Sequence, residues 1–172
     1  VSNLGAGFVA RGGACNIYNE LDLTLREETG LEFLVEGEGA GRIPEDARNI
    51  VWRSIRLLLE RAKRGEEFRG ARIHMKNHVP LSRGLGSSAA AIVAGLKAAN
   101  VIIGNKYNRR ELLQMATEIE GHPDNVAPAI FGGFTVSTTK GHHVESFSFL
   151  PKLRLRFVVA VPDFYLPTKK AR

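Results

Sequence analysis

Residues 80–91 form the segment best suited to chemistry, and they read Pro-Leu-Ser-Arg-Gly-Leu-Gly-Ser-Ser-Ala-Ala-Ala. Gly84 and Gly86 can adopt positive φ and approach a cluster of oxygens closely, because neither carries a Cβ. The N–H groups that open the following helix favour a negative charge. Ser87 and Ser88 add hydroxyls that can bind phosphate oxygens or Mg²⁺. The segment therefore predicts a phosphate-binding loop.

This loop differs from the two common glycine-rich phosphate loops. It lacks the Gly-Lys-Ser/Thr ending of a P-loop, and its glycines are not spaced as in the Gly-x-Gly-x-x-Gly dinucleotide motif. A plain glycine turn with a serine at the helix start is the alternative interpretation of a Gly-Leu-Gly sequence. The length of the whole string, between a predicted strand and a predicted helix, favours the phosphate loop.

Hydrophobic periodicity predicts the elements that must position the loop. Strands are predicted at residues 15–25, 31–35, 72–79, 132–138, 144–150 and 153–161. We expect the first two of these to pair with each other. Helices are predicted at residues 46–64 and 87–103, and a third begins at Asn108, with Glu111 as its capping-box partner, and ends at Gly121. This order predicts an α+β fold with mostly antiparallel strands.

Composition narrows the class of protein. The chain has 172 residues, a net charge of +6 and one cysteine, Cys15. The cations are spread along the sequence without interleaved aromatics, which argues against nucleic-acid binding. The longest apolar stretch, residues 89–103, is too short and too polar for a membrane span. A single cysteine and no export leader indicate a cytoplasmic protein, and we expect natural sequence to be missing at both ends.

Two further motifs accompany the loop. Residues 2–8 read Ser-Asn-Leu-Gly-Ala-Gly-Phe, and residues 120–128 read Glu-Gly-His-Pro-Asp-Asn-Val-Ala-Pro. Together with the loop they resemble the three corresponding segments of the GHMP kinase family, and the second motif resembles most closely its homoserine kinase branch. The resemblance implies an ATP-dependent kinase whose small-molecule substrate is L-homoserine, and it leaves room for a homodimer.

The resemblance also implies nucleotide, metal and catalytic residues. Ser88 and Glu120 resemble Mg²⁺ ligands, Asn49 resembles an adenine contact, and Thr168 resembles an active-site hydroxyl. The residues implied to bind ATP along the loop are Pro80, Leu81, Ser82, Arg83, Gly84, Leu85, Gly86, Ser87, Ser88, Ala89 and Ala90. Glu120 could instead be a solvated carboxylate at a helix end, and Asn49 could be only a helix-entry residue.

Four residues resemble contacts of the alcohol substrate. They are Asn3, His122, Asn125 and Arg172, the last matching an arginine that holds a carboxylate in a bidentate fork. Asn125 stands where related kinases carry a potential catalytic aspartate, so we expect no catalytic carboxylate. Asn3 and Asn125 could otherwise be turn formers, and His122 could simply cap the turn before Pro123.

One position departs from the family pattern. Val9 replaces an aspartate that contacts the substrate in the relatives, and valine cannot accept a hydrogen bond from an ammonium group. Another alcohol substrate, or a nucleotide-binding protein without catalysis, is therefore an alternative. The resemblance implies an ATP-binding amino-terminal domain at residues 1–151 and the start of a ferredoxin-like carboxy-terminal domain at residues 152–172.

Overall fold

The computed structural model describes residues 9–81, 83–141 and 143–152. These residues form strands and helices arranged as two three-stranded sheets with the helices packed between and beside them. The strands are β1 Val9–Gly13, β2 Glu20–Arg26, β3 Gly30–Gly37, β4 Gly70–Asn77, β5 Phe134–Lys140 and β6 His143–Phe149. The helices are α1 Ile50–Arg61, α2 Ser87–Ile102, α3 Arg109–Glu120 and α4 Pro123–Phe131. The predicted α+β class is confirmed.

The first sheet has the order β2-β4-β3, and it corrects one prediction. Residues 31–35 do not pair with the strand before them, because β4 lies between β2 and β3. Strand β2 runs antiparallel to β4, whereas β3 runs parallel to it. A parallel pair needs a crossover connection, and α1 provides it between β3 and β4. In this register Leu23 and Phe33 flank Ile73 on the face that packs against the core.

The second sheet has the order β1-β5-β6, and all its described pairs are antiparallel. Strand β1 was not predicted, because its sequence Val-Ala-Arg-Gly-Gly shows neither alternation nor strong strand propensity. It is held by pairing with β5, more than a hundred residues later, from Val9 opposite Thr138 to Gly13 opposite Phe134. The predicted strand at residues 153–161 and the predicted second domain lie outside the described residues.

The ends of α3 follow the predicted signals, whereas α1 begins at Ile50 and ends at Arg61, inside the predicted range of residues 46–64. Asn108 accepts hydrogen bonds from the N–H groups of Arg110 and Glu111, and the Glu111 side chain accepts from Asn108 N–H, so the capping box is confirmed. Gly121 ends α3 in the left-handed conformation at φ 90°. Helix α4 was not predicted, because Pro123 and Pro128 indicate turns. Pro123 is tolerated at the first helical position, where its missing N–H costs nothing.

The core lies where α1, α2 and the sheet of β2, β3 and β4 meet. Ile55 and Leu58 are fully buried, and Trp52 is buried beneath the Arg56 guanidinium. Helices α1 and α2 pack so closely that a Cβ at Gly95 would lie 2.8 Å from the Val51 carbonyl oxygen. Among the described residues, no helix has the length and apolar character needed to cross a membrane.

Helix α3 is attached to β6 by one side chain. The Gln114 amide accepts a hydrogen bond from Val144 N–H at 3.0 Å and donates one to the Val144 carbonyl at 2.7 Å. Both backbone groups of Val144 are therefore satisfied from the helix. This contact fixes the position of α3 and its last residue, Glu120, relative to the second sheet.

Candidate active site

The glycine-rich loop leads directly into α2. Gly84 and Gly86 have φ of 71° and 75°, and Gly86 is the N-cap of the helix without a side chain that could cap it. Ala90 N–H bonds the Gly86 carbonyl at 2.9 Å, so helical bonding begins there. The N–H groups of the preceding three residues have no intrahelical acceptor. They give the helix start the partial positive charge that an anion requires.

Ser88 and Glu120 meet beside this helix start. Glu120 is the last residue of α3, and its carboxylate accepts a hydrogen bond from Ser88 Oγ at 2.7 Å. The Glu120 residue is half-buried and its carboxylate bonds the start of α2, while its part as a Mg²⁺ ligand stays a prediction. The pair offers two hard oxygen ligands, the type that Mg²⁺ prefers, at the edge of the phosphate loop.

Asn125 approaches the same loop from α4. A Cβ placed on Gly86 would lie 3.5 Å from Cβ, Cγ and Oδ1 of Asn125, so the two residues face each other across van der Waals distance. Asn125 lies in the first turn of α4, within a regular helix. It is therefore not a turn former, and its amide can reach a group bound at the helix start of α2.

His122 and Asp124 form a pair next to Asn125. His122 is the N-cap of α4 but makes no side-chain capping bond, and its Nδ1 instead lies against Oδ1 of Asp124. Asp124 is only 3% exposed and sits in the first helical turn, where the helix dipole stabilises a carboxylate. Sequence reasoning missed Asp124, although an acidic residue two positions after a histidine at a helix start could have indicated such a pair.

Gly12 fixes the distance between β1 and α4. A Cβ at Gly12 would lie 1.9 Å from the Asp124 carbonyl oxygen and 2.9 Å from Pro128 Cγ. Any larger residue would therefore push the first turn of α4 away from the sheet. Because Asn125 and His122 both belong to that turn, Gly12 helps to place them, and no local sequence signal indicates this contact.

A cavity of about 730 Å³ opens next to Gly86 and Asn125. One wall is the connection between β1 and β2, residues 13–19, which includes the half-buried Cys15 and the exposed Tyr18. The floor is apolar and is formed by α2 and α4, for example by Val93 and Pro128. The phosphate loop thus borders a space large enough for a small-molecule ligand.

Asn49 has a structural role in this arrangement. It is fully buried, it caps α1 by accepting from Val51 N–H at 2.9 Å, and it donates to the Pro44 carbonyl at 2.7 Å. These bonds help to shape the segment of residues 38–48 before α1. This segment contacts the glycine-rich loop, since a Cβ at Gly39 would meet the side chain of Leu81 as well as that of Ile43. The adenine contact of Asn49 stays a prediction, because its described bonds are all internal.

The sequence comparisons agree with this geometry. Residues 49–133, which contain the loop, Ser88, Glu120 and Asn125, match the family model described as the GHMP kinases N terminal domain. The chain is 47% identical over 171 residues to a homoserine kinase of Carboxydothermus hydrogenoformans, covering 99% of this chain and 55% of that relative. The chain belongs to the GHMP kinase family.

Further GHMP kinases are similar along the whole chain. A homoserine kinase of Clostridium botulinum is 42% identical over 176 residues, which cover 99% of this chain and 55% of the relative. The crystal structure of homoserine kinase from Cytophaga hutchinsonii superposes with a TM-score of 0.72 at 28% identity, covering 99% of this chain and 61% of that chain. The chain thus spans little more than half the length of the relatives that it matches.

Some residues implied by the GHMP kinase resemblance lie outside the described part of the chain. These residues are Asn3, Ser82, Thr168 and Arg172. Val9, which replaces the family aspartate, lies at the start of β1 opposite Thr138. The described residues therefore bring together the loop, Ser88, Glu120, His122 and Asn125, while the remaining predicted contacts stay predictions.

Gly12 offers a direct test of how α4 is positioned. We expect Gly12→Ala to lower the free energy of unfolding by about 1–3 kcal/mol, the usual cost of overpacking, because its Cβ would overlap the Asp124 carbonyl. Gly13→Ala is the matched control, since its Cβ would meet only Phe134 at 3.4 Å. Urea unfolding followed by circular dichroism measures both, and equal effects would contradict the close contact.

Proposed function

We propose that the chain belongs to an ATP-dependent homoserine kinase, which transfers the γ-phosphate of ATP to the side-chain hydroxyl of L-homoserine and gives O-phosphohomoserine for threonine synthesis. The observation that carries the proposal is the meeting of three elements at one loop. The positive start of α2, the Ser88–Glu120 pair and Asn125 all border Gly86. The names of the similar proteins support the choice of substrate.

The loop would hold the triphosphate of ATP. Its glycines leave room for phosphate oxygens, and the N–H groups of the first turn of α2 point toward the helix start. Residues 80–90 would make these contacts, with Asn49 and the neighbouring segment near the base. In a loose phosphoryl-transfer transition state, positioning and neutralisation of charge supply most of the rate, and this loop would contribute to both.

The chemistry of the donors fits a magnesium ion at Ser88 and Glu120. Their oxygens lie 2.7 Å apart, and one carboxylate with one hydroxyl is the small protein contribution that Mg²⁺ usually takes beside phosphates. When bound, the ion would neutralise charge on the phosphates. The Ser88–Glu120 hydrogen bond keeps the two side chains together, so both oxygens are already near each other before any ligand arrives.

Asn125 would position the reacting hydroxyl and would not remove its proton. A carboxamide has no basic group at neutral pH, so the proton of the alcohol would pass to a phosphate oxygen or to water. His122 and Asn125 would contact homoserine from α4. Asn3, Arg172 and Thr168 would complete the site by binding the substrate and by lying near the phosphates. A cytoplasmic location and a homodimer stay predictions.

A second candidate function follows from Val9. Without an acceptor at this position, the ammonium group of an amino acid would lose a partner, so another alcohol could be the substrate of this GHMP kinase. Mevalonate and shikimate are the alternatives that we would test, and a nucleotide-binding relative without catalysis is the third. The cavity beside Gly86 is large enough for homoserine, mevalonate or shikimate.

A substrate panel tests the proposal. Full-length protein should release ADP in a coupled assay with homoserine and Mg²⁺, and mevalonate or shikimate should give at most background release. Turnover of another alcohol alone would replace the substrate assignment. ATP binding without turnover of any alcohol would indicate the non-catalytic alternative. Absence of ATP binding would contradict the kinase proposal altogether.

Val9→Asp tests the substrate from the protein side. If the site binds homoserine, a carboxylate at position 9 should accept a hydrogen bond from the ammonium group. A hydrogen bond to a charged group contributes about 1.5–3 kcal/mol, which corresponds to roughly a tenfold to hundredfold change in affinity. We therefore expect KM for homoserine to fall by that factor, while KM for ATP stays nearly constant.

The control for Val9→Asp is an analogue without the amino group. A des-amino analogue cannot donate to the new carboxylate, so its KM should not improve. Unchanged homoserine kinetics in a folded Val9→Asp variant would argue that the ammonium group does not lie near β1, and another alcohol would then be the better assignment.

A further inference from the structure

The first turn of α4 contains a buried carboxylate to which the proposed reaction assigns no direct part. Asp124 is 3% exposed, and its side chain faces back along the chain to His122. A buried charge is costly unless it is paired. The imidazole of His122 and the N-terminal end of α4 both compensate the charge of Asp124. The pair is therefore a fixed unit within the fold.

The location of this pair connects it to the reacting groups. His122 stands two residues after Glu120, which bonds Ser88, and three residues before Asn125, which faces Gly86. Strand β1 packs directly against the turn that carries His122, because Gly12 has no Cβ and lets the strand approach the Asp124 carbonyl closely. His122 itself keeps 24% of its side chain exposed, so one side of the ring remains accessible while Nδ1 is engaged by Asp124.

We propose that Asp124 is a positioning residue for the phosphate acceptor: its carboxylate accepts a hydrogen bond from Nδ1–H of His122 and thereby holds Nε2 toward the bound alcohol. A neutral imidazole carries a proton on only one nitrogen, and the partner of that nitrogen decides which one it is. With Nδ1–H donated to Asp124, Nε2 contacts the substrate in a fixed orientation. Asp124 acts through His122 and does not touch the substrate. This inference rests on the proposed function.

The kinetic test uses Asp124→Asn in the full-length enzyme. The asparagine amide is nearly the same size as the carboxylate but is not charged, so its hydrogen bond with the His122 ring is weaker. We expect KM for homoserine to rise by about tenfold or more, while KM for ATP changes little, since the loop is untouched. Asp46→Asn is the matched control. Like Asp124, Asp46 pairs with a residue two positions away, in this case Arg48. The hydrogen bonds from Arg48 lower the pKa of Asp46 to about 2. This pair lies far along the chain from α4.

A double-mutant cycle separates positioning from a general structural effect. In a His122→Ala background, Asp124→Asn should change KM for homoserine by less than about twofold, because the ring through which it acts is gone. An equal increase in both backgrounds would overturn the proposal, as would an unchanged KM in the single variant. If the single variant does not fold, the unmodified protein still provides a test.

That test is the protonation pattern of His122, measured by ¹⁵N NMR of the selectively labelled native chain. The proposal requires a proton on Nδ1 of His122, and a ring that carries its proton on Nε2 alone would overturn it. This readout needs no turnover. A native enzyme that fails to phosphorylate homoserine would contradict the proposed function, while the NMR result would still decide whether Asp124 holds the ring.

Discussion

Gly86→Val should lower the affinity for ATP by more than about a hundredfold. Valine is strained at the φ of 75° that Gly86 adopts, and its side chain would fill the space between the loop and Asn125. The expected loss of two N–H bonds to charged phosphate oxygens, at about 1.5–3 kcal/mol each, accounts for the factor. Isothermal titration of full-length protein with ATP measures it.

A glycine just beyond the other end of α2 provides the control. Gly104 follows the other end of α2, has φ of 87°, and has no neighbouring atom within 4 Å of an added Cβ. Gly104→Val introduces similar backbone strain far from the loop. ATP affinity should be preserved in Gly104→Val if the effect at Gly86 is local. Equal loss in both variants, or full ATP binding by a folded Gly86→Val protein, would argue against the phosphate-loop assignment.

Ser88→Ala and Glu120→Gln should each lower kcat on the order of a hundredfold to a thousandfold, the range seen when a group that stabilises transition-state charge is removed. KM for homoserine should change much less, because neither side chain is assigned to the alcohol. The double variant should lose little more than the worse single variant, since the two side chains bond each other and serve one site. Steady-state kinetics with varied Mg²⁺ concentration measure these effects.

Glu118→Gln is the control for Glu120→Gln. Glu118 lies on the same helix two residues earlier, and its carboxylate pairs with Arg61 on the protein surface. Removing the Glu118 charge should leave kcat unchanged, because this carboxylate is not assigned to the site and an exposed ion pair contributes little to stability. Asn125→Asp should also give no large increase in rate if no catalytic base is required. A rate that follows the titration of a carboxylate in the native enzyme would argue against this mechanism.

The elements with strong local signals were predictable from the sequence. Helix α3 is an example, because the capping box of Asn108 and Glu111 and the terminating Gly121 act within one turn of the chain. The helix start at Ser87 and the strand leading into residue 80 were predictable for the same reason. In each case the residues that determine the structure are neighbours in sequence.

Features that depend on distant partners were not predictable. Strand β1 exists because β5 pairs with it, and β3 pairs with β4 only after α1 has carried the chain across. Helix α4 contains two prolines, and its position depends on contact with Gly12. Short segments of this kind gain most of their stability from tertiary packing, which one sequence does not reveal.

The residues of the candidate site likewise fall into those that the sequence predicted and those that it did not. The loop, Ser88, Glu120, His122 and Asn125 were predicted because they lie in contiguous motifs, although their roles in binding stay proposals. Asp124 was overlooked within such a motif, because its burial and its pairing with His122 become visible only in three dimensions. Asn49 was predicted as a ligand contact, and the structure shows it first as the cap of α1.

The contact between Gln114 and Val144 has a consequence for self-association. Among the described strands, β6 is one of the two outer strands of its sheet, and an uncovered outer strand can recruit a strand of another molecule and begin an aggregate. The amide of Gln114 resembles a peptide group, and it occupies both backbone groups of Val144 as a neighbouring strand would. The helix that carries Glu120 thus also blocks intermolecular β-pairing at the Val144 part of this strand.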